Sequence, residues 1–133
     1  MKTISRIISV VFILCLVSCS AEDGDDGMDG NANVISSDWI TINFSPTPNT
    51  FKIQIIDDSN ISEANVNSAA FQVYARTASG DVYTIPHEFG NRSYFYSLSA
   101  ADNQLTFRAE SINNSMEVFS DFTEIRYTII PSN

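Results

Sequence analysis

Apolar and polar residues alternate through most of the chain after Asn33. Ile40, Ile42 and Phe44 alternate with Thr41 and Asn43. Phe51, Ile53 and Ile55 alternate with Lys52 and Gln54, and Phe71, Val73 and Ala75 with Gln72, Tyr74 and Arg76. Leu105, Phe107 and Ala109 alternate with Thr106, Arg108 and Glu110, and Ile125, Tyr127 and Ile129 with Arg126 and Thr128. Side chains along a strand point to opposite faces in turn, so a period of two marks a strand with one buried face. Val82 to Pro86 and Tyr94 to Leu98 are shorter, aromatic-rich runs of the same kind. The expected core is the apolar member of each alternation, with Phe51, Ile53 and Ile55 included.

Turn chemistry separates these runs. Ala78-Ser79-Gly80-Asp81 and Ala100-Ala101-Asp102-Asn103 each join two of them, and Gly80 suits the left-handed position of a hairpin. Pro46 and Pro48 cannot donate to a ladder, so Ser45 to Asn49 is a connector. One segment departs from the period of two. Asn60 followed by Glu63 reads as a capping-box variant and predicts one short helix near residues 61–67. About seven strands separated by short polar stretches predict an all-β domain, an antiparallel β-sandwich, over residues 33–133.

The first eighteen residues have a different pattern. Lys2 and Arg6 precede an apolar stretch from Ile7 to Leu16, the order of a secretory signal peptide. That stretch is half of what a membrane-spanning helix needs, about twenty residues. Leu16-Val17-Ser18-Cys19 closes it. This resembles the lipobox of bacterial lipoproteins, in which the cysteine carries fatty acyl chains such as palmitate and begins the mature protein. The resemblance implies lipidation of Cys19 and a membrane anchor. Cys15 would leave with the signal peptide and Cys19 would carry lipid, so no disulfide is expected and core packing must hold the fold. The chain has seven Lys/Arg and sixteen Asp/Glu, a net charge of −9. Losing Lys2 and Arg6 makes the mature chain more acidic still. Such a chain is repelled by phosphate backbones, so nucleic acid is excluded as a partner.

Residues 19–32 join anchor to domain. Ser20 to Gly30 is almost entirely acid and glycine, and cannot bury enough apolar surface to order itself. It reads as a flexible acidic tether. Asp23, Asp25, Asp26 and Asp29 offer oxygen ligands of the kind calcium takes, but their spacing matches no EF-hand loop. Glu22 and Asp23, directly after Cys19, resemble the surface-export signal of Bacteroidetes lipoproteins. The glycine at every third position from Gly24 to Gly30 is collagen-like but too short for a triple helix.

Further residues extend this likeness. Gly30-Asn31-Ala32-Asn33-Val34 follows the leader, and Tyr74 precedes the Gly80 turn. Val82 to Pro86 is followed by Phe89-Gly90, and Ile125-Arg126-Tyr127-Thr128-Ile129-Ile130-Pro131 closes the chain. The whole resembles a group of small Bacteroidetes surface lipoproteins with an acidic collagen-like leader and an all-β body. The leader here is shorter than in the repetitive examples. The resemblance implies a location, the outer membrane or cell surface, and no reaction.

Candidate chemistry is sparse. His87 is the single histidine, and zinc takes three or four ligands, so no metal site is expected. His87 and Glu88 are neighbours, which would point apart in a strand, and His87 reads as an exposed turn residue after Pro86. Asp57-Asp58 reads as a helix cap. No Gly-x-Ser-x-Gly elbow occurs. The chain therefore reads as a non-enzyme with no cofactor. The aromatics are a better lead: Trp39, Tyr74 and Tyr83, with Arg76 and Arg126, fall on the non-core alternates. Tyrosine, tryptophan and arginine are enriched where proteins bind partners, and aromatics stack on sugars. The expected function is a non-catalytic binding module for glycan or a protein partner in the cell envelope. The alternatives are a structural accessory subunit, which predicts an apolar face or unprotected edge strand, and a hydrolase, which predicts converging carboxylates.

Overall fold

A computed structural model describes residues 33–132. The signal peptide, Cys19, the acidic tether and its collagen-like triplets lie outside the described residues. Among the described residues nine strands form two antiparallel sheets. The first holds β1 (Ile35–Ser36), β2 (Ile40–Thr41), β4 (Ala70–Arg76), β5 (Val82–Ile85) and β9 (Glu124–Ile130). Its order is β1-β9-β4-β5, with β2 also paired to β9. The second holds β3 (Phe51–Asp57), β6 (His87–Phe89), β7 (Arg92–Ser99) and β8 (Gln104–Ser111), in the order β3-β8-β7-β6. One short helix, α1 (Glu63–Ser68), links β3 to β4. This is the expected all-β sandwich. The two added strands are β1 on β9 and β6 on β7, two and three residues long and too short to show a period, and the run expected from Ile40 to Phe44 is a strand only at Ile40–Thr41.

The sandwich buries Val73 and Ala75 of β4, Leu105, Phe107 and Ala109 of β8, and Ile125, Tyr127 and Ile129 of β9. Ile40, Ile42, Phe44 and Phe71 pack against that cluster. Among the described residues no helix is long and apolar enough to cross a membrane. Gly80 and Asn103 adopt positive φ at the two turns, at 95° and 53°. Glycine and asparagine are the residues that enter this region most readily.

β3 contradicts the alternation reading. Phe51, Ile53 and Ile55 are 43%, 50% and 51% exposed, while Ile56 is buried. The register explains it: Ile56, Gln54 and Lys52 lie opposite Leu105, Phe107 and Ala109, the inward side chains of β8. The space inside this edge is already taken. Phe44 stacks parallel on Phe107 at 5.8 Å. Gln54 then serves the crossing segment before Phe44. Its amide donates to Thr41 O at 3.0 Å and accepts from Asn43 N at 2.8 Å, as a neighbouring strand would. The apolar stripe turns outward, where the Arg108 guanidinium covers the Phe51 ring at 4.9 Å.

Three smaller expectations also change. The helix cap is Ser62, whose hydroxyl accepts from Asn65 N, and not Asn60. Asp58 does not cap that helix. It accepts from the backbone and side-chain amides of Asn60 at 2.8 and 2.9 Å and from the Tyr127 hydroxyl. His87 is half-buried in β6, 4.7 Å from the Tyr83 and Phe89 rings, because the chain passes from one sheet at β5 to the other at β6 and places it beside that aromatic packing.

Tyrosine hydroxyls fasten the layers. Buried phenols need partners, and here each partner lies in a distant part of the chain. Tyr94 donates to Asp121 at 2.7 Å, Tyr96 donates to Phe71 O at 3.2 Å, and Tyr127 donates to Asp58. Burial is the main force raising all three phenol pKa values above their usual range, and the neighbouring carboxylates push Tyr94 and Tyr127 further. Burial pushes the Asp58 carboxyl upward, but the bonds from Tyr127 and Asn60 together outweigh it and hold the pKa low.

Candidate binding face

Sheet register builds the face. On the outer side of the first sheet, Arg126 of β9 lies opposite Tyr74 of β4, which lies opposite Thr84 of β5. The next row is Glu124, Arg76 and Val82. In the third, Thr128 stands between Ser36 and Gln72. The loop between β1 and β2 brings Trp39 over this surface. That loop is pinned where Ser37 N donates to Tyr127 O at 3.0 Å and Tyr127 N donates to Ser37 Oγ at 3.1 Å.

Trp39, Tyr74, Val82, Arg126 and Thr128 together line a shallow groove of about 320 Å³. The indole is held in place. Arg76 lies 4.4 Å from its ring centroid, a cation–π contact, while Arg76 Nε donates to Glu124 Oε2 at 2.7 Å. Arg76 is thus neutralised and acts as a support. Arg126 is different. Among the described residues no carboxylate stands within ion-pair distance of it, and its buried Nε has no acceptor. An unmatched buried donor costs about 1–3 kcal/mol, so the placement of this Nε carries a cost to stability.

Four of the five residues expected to bind therefore meet on one surface. Tyr83 does not. It points inward, 5.1 Å from the Phe89 ring and 5.9 Å from Phe122, and belongs to the aromatic packing under the β5–β6 edge. Val82, its neighbour, faces the groove instead. The alternation of β5 carries this information, since Val82 and Thr84 share a face and Tyr83 and Ile85 the other. Arg92 and Asn91, in the turn region after Phe89, have structural roles. Arg92 Nε is 2.9 Å from Asp121, and the Asn91 amide lies among oxygens of Ser111, Asn113, Ser115 and Glu117. Hydrogen bonds from Asn91 and Ser115 hold the Glu117 carboxyl below its usual range.

Two other hollows are chemically plainer. One, about 280 Å³, is lined by Phe44, Phe119 and Phe122 of the core wall with no charged group. The other, about 360 Å³, pairs Glu63 and Asn67 with Ala100 and Ala101. No cluster of three or more His, Cys, Asp or Glu suited to a metal occurs among the described residues. Compared with protein-family models, curated proteins and solved structures, the chain gives no match.

Proposed function

We propose that this chain is a lipid-anchored, non-catalytic binding module of the bacterial cell envelope, and that the groove of Trp39, Tyr74 and Arg126 is its glycan-binding face. The convergence of those three side chains supports the reading, since a held indole, a phenol and a guanidinium with no carboxylate partner among the described residues suit a saccharide ring with polar substituents. The anchor part rests on the lipobox resemblance at Cys19, with the acidic tether holding the domain off the membrane. Native gels containing envelope and plant polysaccharides test the binding part. The wild type is expected to be retarded by at least one polymer and Trp39→Ala by none; equal mobility in every gel refutes it. For the anchor, Cys19→Ala is expected to move the protein from the membrane fraction to the soluble one, and retention at the membrane refutes it.

A second reading, an accessory subunit of an envelope complex, is favoured by β3. Ser111 N bonds to Thr50 O and Asp58 N to Asn103 O, so the even-numbered residues of this strand face β8. The N–H and C=O groups of Phe51, Ile53 and Ile55 therefore point away from the sheet, at an edge that no described strand pairs. Backbone groups and apolar side chains are exposed together, as β-strand addition requires. Ile53→Lys is expected to abolish recovery of a stoichiometric partner from solubilised outer membrane while Trp39→Ala leaves it intact. Unchanged recovery with Ile53→Lys removes this reading.

A further inference from the structure

We infer that the groove selects an anionic saccharide, one bearing a carboxylate or sulfate group, with Arg126 as the anion-recognising residue; this rests on the glycan reading above. The two arginines of the face are in opposite states. Arg76 is saturated: Glu124 takes its charge and Trp39 takes its plane. Arg126, on the neighbouring strand and beside Tyr74, lines the groove with no carboxylate partner among the described residues.

Carboxylates are abundant in this chain, sixteen Asp and Glu in all, yet among the described residues none stands within ion-pair distance of Arg126. The groove itself is lined by no acid: its other members are Trp39, Tyr74, Val82 and Thr128. A neutral saccharide would use the aromatic walls and could offer the guanidinium hydroxyl oxygens, but no opposite charge. A uronic acid or sulfated sugar would use both, its ring against the aromatic surface and its anion across the planar fork of the guanidinium, which binds such groups in a bidentate manner. The Thr128 hydroxyl supplies a further donor or acceptor for a ring hydroxyl. Lysine would give a point charge without the fork, so Arg126→Lys should keep only part of the selectivity.

Calorimetry of the purified protein with three oligosaccharides of matched length, oligogalacturonate, a sulfated galactan oligomer and a neutral galactan oligomer, tests this. The wild type is expected to bind at least one acidic oligomer about tenfold or more tighter than the neutral one, as a hydrogen-bonded charge contact implies. Whichever acidic oligomer binds identifies the anion. Arg126→Gln should erase the preference, bringing the acidic oligomer to the affinity of the neutral one, and Arg126→Lys should restore part of it. Raising salt from about 50 to about 500 mM should weaken only the acidic ligand. Equal affinity for acidic and neutral oligomers, unchanged in Arg126→Gln but lost in Trp39→Ala, overturns the anion assignment and leaves the glycan reading standing. Binding of no oligomer by the wild type overturns both.

Discussion

Tyr94→Phe is the sharpest probe of how this sandwich is held together. Tyr94 is 1% exposed and belongs to β7. Its ring meets Phe122 edge-on at 4.8 Å and stacks near Phe107 at 6.1 Å. The substitution keeps those contacts and deletes one oxygen, the donor to Asp121 at 2.7 Å. A hydrogen bond to a charged group contributes about 1.5–3 kcal/mol. Asp121 keeps Arg92 at 2.9 Å, so its carboxylate is not orphaned and the loss falls at the low end, about 1.5–2 kcal/mol. For a domain of this size that lowers Tm by about 6–16 °C. The effect has a pH signature. Burial first, and Asp121 second, raise the Tyr94 pKa above its ordinary 10.0. The wild-type contribution is therefore complete below pH 10 and is lost above it, where the unfolded chain releases a proton that the folded chain retains. The variant lacks this group, so its deficit should narrow as pH rises past 10. Urea unfolding, followed by emission of the single tryptophan, Trp39, measures both. A loss under about 0.5 kcal/mol at neutral pH, or a gap that does not change with pH, would mean that the Tyr94–Asp121 bond does not hold the fold in this way.

Three further outcomes follow from the same structure. Ile56→Ala should cost about 2–5 kcal/mol, while Ile53→Thr stays within about 0.5 kcal/mol by thermal unfolding; the reverse order would restore the register expected from alternation. Gln54→Leu should remove two bonds to the segment around Ile42 and cost about 1–2 kcal/mol, with faster amide exchange at Asn43; unchanged exchange there would count against the tie. Asp58 is held below its ordinary 3.8, so its contribution is complete above that value and lost as pH falls through the lowered one; Asp58→Asn should flatten acid unfolding in that window, and an unchanged acid slope would assign the effect elsewhere.

Much of the sandwich was legible because β4, β8 and β9 lie inside their sheets, where one face must be apolar and the alternation has one solution. β3 lies at an edge. There the pattern Phe-Lys-Ile-Gln-Ile-Ile permits either face inward, and the choice fell to Phe44 and Gln54, whose positions depend on tertiary packing. His87 and Tyr83 failed for a related reason. Their burial comes from the sheet change at Pro86, which a local pattern cannot place in space. Of the candidate site, Tyr74, Arg76 and Arg126 were readable as outward alternates of neighbouring strands. Trp39 joined them through a loop anchored by Ser37, and Val82 through its place opposite Arg76. What the sequence could not separate was an arginine paired to Glu124 from one with no carboxylate partner among the described residues, since that rests on where Glu124 reaches.

Backbone NMR of the protein titrated with the oligosaccharide panel tests the central claim, that the first sheet's outer face is the recognition surface. Amide shifts are expected to concentrate at Trp39, Tyr74, Val82, Arg126 and Thr128, with β3 and β8 silent. Shifts centred on Phe51, Ile53 and Ile55, or none anywhere on the Trp39 face, would contradict it.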